Sequence, residues 1–189
     1  NAENNFDGQT VQTNLNYGFS IGKAGGFVNI GASYDFRQPT NRQKEFTGVI
    51  FSDYNRPDLY PNPSGLDITD AELAARGLDR GDFVSRIGQA QTKGGALFLN
   101  SVIPLTEHAE FYAFGGLNYR KAESSAFRRQ PAQITQNNSE IYPLGFLPII
   151  ATDNYDRSLA TGIRGKIKEW DLDFSNAYGS NVINFNTEN

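Results

Sequence analysis

The stretch VQTNLNYGFSIGKAGGFVNIGASYDFR, residues 11–37, decides the fold. Ahead of its glycines the odd positions are Val11, Thr13, Leu15, Tyr17, Phe19 and Ile21, and the even ones Gln12, Asn14, Asn16, Gly18 and Ser20. Successive side chains of a β-strand point to opposite faces, so this alternation makes one face apolar and the other polar. A strand that crosses a bilayer core at a tilt needs roughly 9–11 residues, whereas a globular strand averages about 5–6. The alternation here lasts from Val11 to Ile21. Lys23-Ala24-Gly25-Gly26 reads as the turn, with glycines free to take positive φ. Beyond it the pattern changes parity: Val28, Ile30, Ala32, Tyr34 and Phe36 against Asn29, Gly31, Ser33, Asp35 and Arg37. A turn over those residues pairs Gly22 with Phe27 and Ile21 with Val28, which puts both apolar faces on one side.

The same reading finds two more hairpins. Leu159, Thr161, Ile163 and Ile167 alternate with Arg164 and Lys166; after Lys168-Glu169, Trp170, Leu172, Phe174 and Tyr178 alternate with Asp171, Asp173, Ser175 and Gly179. A two-residue turn there sets Ile167 opposite Trp170, Lys166 opposite Asp171 and Arg164 opposite Asp173, and opposite charges across a strand pair favour that register. The last two pairs are therefore expected as ion pairs on the polar face. In the middle, Phe111, Ala113, Leu117 and Tyr119 alternate with Glu110, Tyr112, Asn118 and Arg120. The preceding run from Ala96 to Pro104 is apolar on both parities, and Leu97, Leu99 and Ile103 are assigned to the apolar face. Strands are thus expected near 11–21, 27–37, 95–104, 109–120, 158–167 and 170–181, with long loops over 38–94 and 121–157.

Charge segregates accordingly. Asp35, Arg37, Glu110, Arg120, Arg164, Lys166, Asp171 and Asp173 all fall on the polar parity. An Arg or Lys on a lipid face near mid-bilayer costs ~2–4 kcal/mol. A soluble sandwich would also exclude charge from its buried face, so strand length and aromatics carry the membrane reading. Phe19, Phe27, Phe111 and Trp170 lie near the short turns, and Tyr34, Phe36, Tyr119 and Tyr178 near the opposite strand ends, as in the aromatic girdles of membrane barrels. Tyr17 is placed among these interface aromatics. Short turns near Gly25, Glu107 and Lys168 alternate with long polar connections, as periplasmic turns alternate with extracellular loops.

Composition agrees. The chain has 189 residues, no Cys, no Met, 13% aromatics and a net charge of −4. Without Cys there is no disulfide scaffold, Cys-ligated metal or thiol nucleophile. The charge balance gives no footprint for nucleic acid. Mean hydropathy is −0.51, and no apolar run is long enough for a transmembrane helix. A barrel needs no such run, because only alternate residues meet lipid. The missing Met reads as a processing site or an internal cut before Asn1. Six strands are fewer than the ~8 of the smallest closed barrels, so the chain is expected to be part of a larger barrel.

Four segments carry a family likeness. AEFYAFGGLNYRKAESSAFRR (109–129) resembles a strand and loop start of TonB-dependent outer-membrane receptors. IYPLGFLPII (141–150) is similar to a stretch of their following extracellular loop, WDLDFSNAYGSNVINFNTEN (170–189) to the next hairpin arm, and LNYGFSIGKAGGFVNIGASYDFR (15–37) to a usual hairpin. The resemblance implies a 22-stranded antiparallel transmembrane barrel with a plug domain, in a Gram-negative outer membrane. It also implies import of a scarce nutrient such as a siderophore or carbohydrate, driven by an inner-membrane energy-coupling protein. Partners would be outer-membrane lipid, the remainder of the barrel, the plug and a surface lipoprotein. No plug domain is read in this chain.

Chemistry-bearing residues are few. His108 is the only His and sits in a turn, so no triad or zinc cluster forms around it. Asp67, Asp70, Glu72, Asp79 and Asp82 suggest calcium, but Thr69-x-x-Glu72 is a capping box ahead of a short helix, Ala71 to Arg76, closed by Gly77. Residues 37–93 hold eight acidic and eight basic residues, so they offer no net field. Arg80-Gly81-Asp82 and Asn137-Asn138-Ser139 match short adhesion and glycosylation motifs that chance supplies readily. Tyr54, Arg56, Tyr60, Arg128, Arg129, Tyr142 and Phe146 could contact a ligand, since aromatic faces suit sugars and Arg suits carboxylates or phosphates; loop-on-loop packing is the other reading. No catalytic group, metal or cofactor is assigned. The competing readings are an importer's barrel, a structural barrel fragment within a larger outer-membrane complex, and a soluble all-β binding module that buries Tyr17, Phe19, Phe174 and Tyr178 under a second sheet.

Overall fold

The computed structural model describes residues 7–51 and 67–189. Six strands form: β1 (Thr10–Ile21), β2 (Gly26–Arg37), β3 (Gln91–Pro104), β4 (Ala109–Ser125), β5 (Ile149–Ile167) and β6 (Trp170–Glu188). They make one antiparallel sheet in chain order, each hydrogen-bonded to its sequence neighbours. The sheet is not closed; β1 and β6 are its edges. The β2–β3 connection carries helix α1 (Asp70–Ala75) and a 3-10 turn (Arg80–Phe83).

The β5–β6 register is the one expected, with Ile167 opposite Trp170, Lys166 opposite Asp171 and Arg164 opposite Asp173. The β1–β2 register differs by one step at each end: Ile21 faces Gly26 and Phe19 faces Val28, so the turn is residues 22–25. Gly22 and Gly25 take positive φ there, at 68° and 86°, which makes these two glycines the corners of the turn. Parity is unchanged, so the faces stay as assigned.

Residues directly opposite share a face, and the registers make one apolar face continuous across six strands. One row runs Tyr17, Ile30, Leu99, Gly115, Leu159, Tyr178. Leu97, Leu99 and Ile103 lie on it, whereas Ala96, Phe98 and Val102 lie on the polar face. The eight charges assigned to the polar parity all share the polar face. Charges on the apolar face are Lys93, Lys121, Glu123, Asp153, Arg157 and Glu188, all toward the long connections. From there to the short turns the face is free of charge. Phe27 is a correction: it stands opposite Ser20 and Val102 on the polar face, outside any apolar-face band.

On the long-connection side the strands run further than expected. β4 continues to Ser125 and β5 begins at Ile149, so only 126–148 is loop; β3 starts at Gln91 and β6 reaches Glu188. There, Lys121, Glu123, Asp153 and Arg157 put charge on the apolar face, which erases the period-2 signal while the backbone ladder continues.

The buried core lies among the loops. Ile50, Phe51, Ile68, Leu73 and Phe83 cluster, with Phe46, Leu78 and Leu144 against them. The Phe51 and Phe83 rings meet edge to face at 5.7 Å. Asp67 Oδ1 accepts the N–H groups of Ile50 and Phe51 at 3.0 and 2.8 Å. The two long connections are tied together: Ala132 N–H donates to the Ile50 carbonyl at 2.8 Å, and Gln130 Nε2 to that of Phe83 at 2.7 Å. Thr69 caps α1 in a capping box with Glu72, as expected, and Gly77 follows with φ 72°.

Candidate functional site

The polar face gathers its charges at the short-turn end. Glu110, Arg164 and Asp173 stand in one cross-strand row of β4, β5 and β6. Arg164 Nε donates to Glu110 Oε1 at 2.5 Å, so the ion pair forms with Glu110 and not with Asp173. Asp173 is taken by Tyr112, whose hydroxyl donates to Oδ1 at 2.9 Å. Tyr112 reaches it by crossing Gly162: a Cβ there would stand 2.6 Å from the phenol. The Arg164 guanidinium also lies 5.3 Å from the centre of the Tyr112 ring, a cation–π contact. Lys166 faces Asp171 in register, but no ion pair within 4.0 Å joins them among the described residues. The expected pairing therefore becomes a network, because Glu110 and Tyr112 approach from β4. Glu110, Arg164, Lys166, Asp171 and Asp173, with Glu107 and His108, line an open cavity of about 710 Å³. Four carboxylates (Glu107, Glu110, Asp171 and Asp173) against two cations leave it polar with two surplus negative charges.

Further along the same face Asn118 Nδ2 donates to Asp156 at 3.1 Å, and Asn181 donates to both Asn154 and Asp156. Phe98 and Phe114 interrupt this polar surface. Phe98 lies over Gly116, where a Cβ would meet its ring at 3.0 Å.

On the apolar face, Tyr17 and Phe19 have ring centres 6.0 Å apart. Tyr119 and Tyr155 are 5.0 Å apart, in a row with Tyr34 and Gly95. Phe36 lies one row beyond, opposite Val11 and Lys93. Phe111 and Phe174 share a row nearer the short turns, and Trp170 is at the far tip. Tyr17 and Tyr178 share the middle row.

The candidate ligand-contact residues that the structure describes are engaged with other loop residues. Arg128 lies 5.5 Å from the Phe83 ring centre and donates to the Leu144 carbonyl at 2.9 Å. Burial pulls its guanidinium below the ordinary arginine value. Arg129 pairs with Phe146 as an isolated bridge and donates to Gln136 Oε1 at 2.9 Å. The Tyr142 and Phe146 rings are 4.6 Å apart. Tyr54, Arg56 and Tyr60 lie outside the described residues.

The loop acids serve as caps and anchors. Asp79 accepts the Gly81 N–H at 2.6 Å, and Asp82 accepts the Asp79 N–H at 2.9 Å. Asp70 takes Arg80 at 2.6 Å. The Arg80-Gly81-Asp82 tripeptide is thus folded into a 3-10 turn with its side chains engaged. Asn137 is buried. Among the described residues no group of three or more His, Asp or Glu side chains stands together as a metal site.

Residue spacing left Glu110 and Tyr112 unmatched with Arg164 and Asp173. β4 and β5 are joined by a long loop, so nothing in the sequence fixed their register. The apolar run on both parities of 96–104 was the available signal for Phe98. Compared with family models, with curated proteins and with solved structures, the chain matches none.

Proposed function

We propose that this chain is a membrane-spanning section of an outer-membrane β-barrel, of the TonB-dependent receptor type, whose polar face lines a nutrient-import lumen. The carrying observation is the apolar face: six strands wide, charge-free from Phe111 to Tyr119 and from Leu159 to Ile167, and open to its surroundings. Soluble monomers rarely expose apolar patches above a few hundred Å², and larger ones mark membrane or partner surfaces. Among the described residues no second sheet or helix packs on this face, which disfavours the soluble sandwich.

A second support is stagger. The β1–β2 ladder ends at Ile21 and Gly26, in the row of Ile163, whereas the β5–β6 ladder runs on to Ile167 and Trp170. The shift is about one residue per strand. With ~3.3 Å per residue and ~4.8 Å between strands, that is a tilt of about 35°, inside the ~35–45° of membrane barrels. Rows are then inclined to the membrane, which puts Tyr17 and Tyr178 at different depths and Tyr178 toward the loop side. The segments that resemble the receptor family lie on β1–β2 (15–37), on β4 and its exit (109–129), across the loop and the start of β5 (141–150) and on β6 (170–189). In this reading the loop cap, Tyr142 and Phe146 included, faces the incoming siderophore or carbohydrate, and the Glu110–Arg164–Asp173 network faces the lumen.

The chain has no Cys, so an introduced thiol is the only one. Leu99→Cys and Phe174→Cys probe the apolar face; Asn100→Cys and Ser175→Cys are their polar-face neighbours. In carbonate-washed membranes a water-soluble maleimide is expected to label the polar-face thiols at least about ten-fold faster. Equal labelling of the two pairs sinks the membrane reading. Import is tested separately in cells: deleting the gene should abolish energy-dependent accumulation of one siderophore or oligosaccharide. Unchanged accumulation across such a panel removes the import role and leaves the barrel.

A further inference from the structure

The polar face carries an uncharged band. Next to the Glu110–Arg164–Asp173 row lie three cross-strand rows, those of Tyr112, Phe114 and Phe98, and none of them holds a charged residue. Charge returns one row further, at Asp156, and then at Asp35 and Arg120. The three rings sit on β3 and β4 in successive rows, so they follow the strand axis at ~6.6 Å per row. Tyr112 and Phe114 are stacked, with ring centres 6.2 Å apart and planes at 13°. Tyr112 is already committed to Asp173 and Arg164. Phe114 and Phe98 are not: they are 52% and 53% exposed. Phe98 leans one ring edge over Gly116 and leaves the rest open.

Polar groups beside these two rings are unspent. Asn29 and Asn100 share the row of Phe114, and Asn16 and Ser158 share that of Phe98. Among the described residues none of these four side chains makes a hydrogen bond. One row further the amides differ, since Asn118 and Asn181 are held by Asp156. Exposed phenyl rings beside free amides, without charge, complement a molecule with apolar C–H faces and a rim of neutral hydroxyls. A charged ligand finds no counter-charge in the band and would lose hydration there.

We propose that Phe98 and Phe114, with Asn16, Asn29 and Asn100, form a track for a neutral linear oligosaccharide. Sugar rings stack on the phenyl groups, and their hydroxyls bond the amides. The rings run along the strands, so a sugar chain entering from the loop side passes Phe98 and then Phe114. The proposal rests on the import reading and names its substrate class: neutral carbohydrate and not an iron chelate.

The test uses the protein extracted in detergent from carbonate-washed membranes of the cells that make it. Binding is measured by titration calorimetry with linear oligosaccharides of glucose, of xylose and of mannose. Oligogalacturonate, an anionic counterpart, and a ferric trihydroxamate are the comparison ligands. At least one neutral oligosaccharide is expected to bind, with oligogalacturonate weaker by about ten-fold. Phe98→Ala and Phe114→Ala should each weaken the neutral sugar by about ten-fold. Phe98→Tyr, which keeps a ring over Gly116, should bind as wild type does. Asn29→Ala with Asn100→Ala should weaken binding while the strand signal in circular dichroism holds. Should a ring variant fail to accumulate, the Asn pair decides, because those amides hold no other group. Phe174→Ala, a ring on the apolar face, should change nothing. No binding of any neutral oligosaccharide, or binding kept when both rings are removed, overturns the track. Binding of the ferric trihydroxamate alone also overturns it and leaves the importer standing. Absence of the protein from carbonate-washed membranes overturns the membrane reading and the track together.

Discussion

Two regions of this molecule use the same side chains in opposite ways. In the loop cap, Phe51 and Phe83 are 2% and 0% exposed. On the sheet, Leu15 and Phe174 are 69% and 75% exposed. The cap resembles a small globular core: it folds two connections, 38–90 and 126–148, onto one cluster and closes it with main-chain bonds. The sheet is held by its ladders, and among the described residues no second sheet or helix packs on its apolar face. Hydrophobicity in the cap specifies a shape, because each ring has its own neighbour. On the sheet, in the membrane reading proposed above, it specifies a surrounding medium, because any apolar side chain of any size serves. The two regions should therefore respond differently to the same kind of substitution.

The largest difference is expected from truncating an aromatic. Phe83→Ala removes the ring that packs on Phe51 and Arg128. A buried Phe→Ala change costs about 3–5 kcal/mol. The cap should open, read as fast proteolysis within 38–90 and 126–148, while the strand signal in circular dichroism holds. Phe174→Ala, a change of equal size on the exposed face, should leave cap and sheet intact in lipid. If both variants lose the same stability, the contrast between the regions is wrong. Charge should reverse the ranking. Leu99→Arg puts a cation on the apolar face at a cost of ~2–4 kcal/mol in a bilayer, and should lower the membrane-integrated fraction. Asn100→Arg, its polar-face neighbour, should integrate as wild type does.

This contrast also explains what could be read from residues alone. The sheet was legible because its pattern is local: two parities, a turn, two parities. Even the misplaced Gly22–Phe27 pairing kept the faces, since a shift of the register sum by two preserves parity. Strand ends near Lys121 and Asp153 were not legible, because amphipathicity fades where the strands leave the apolar band. The charged network was half legible. Spacing sets Arg164 and Lys166 opposite Asp173 and Asp171, as the structure does, but the partner of Arg164 is Glu110. That pairing depends on a register set across the 126–148 loop. The cap was illegible for a stronger reason: Ile50, Leu73 and Phe83 are scattered in polar sequence with no period, and only the fold brings them together. Arg128, Arg129, Tyr142 and Phe146 looked like ligand contacts for the same reason. Aromatics and arginines in a loop have one composition whether they meet a ligand or one another.

The smallest effect sharpens the comparison at the cap's edge. Helix α1 is six residues long, too short to persist without its caps and the anchoring of buried Leu73. Glu72 Oε2 accepts the Thr69 N–H at 2.8 Å and the Thr69 hydroxyl at 2.7 Å. These bonds, the backbone one first, hold the Glu72 carboxyl below its ordinary value of 4.5. A carboxyl whose folded value is depressed stabilises the fold above its unfolded value, and that contribution disappears as pH falls through the folded one. Acidification below the ordinary carboxylate range should therefore loosen the start of α1. Thr69→Ala removes the reciprocal half of the box at a cost of about 1 kcal/mol. It should loosen the start of the helix at neutral pH, while the residue-69 N–H still reaches Glu72 and keeps part of the acid response; Glu72→Gln, which removes the titrating group, should abolish that response. Hydrogen exchange at the residue 69 and 72 amides, followed from neutral to acidic pH in wild type and both variants, reads this directly. Equal acid sensitivity in Glu72→Gln and wild type would remove the capping box from the account and leave Leu73 packing alone to hold the helix.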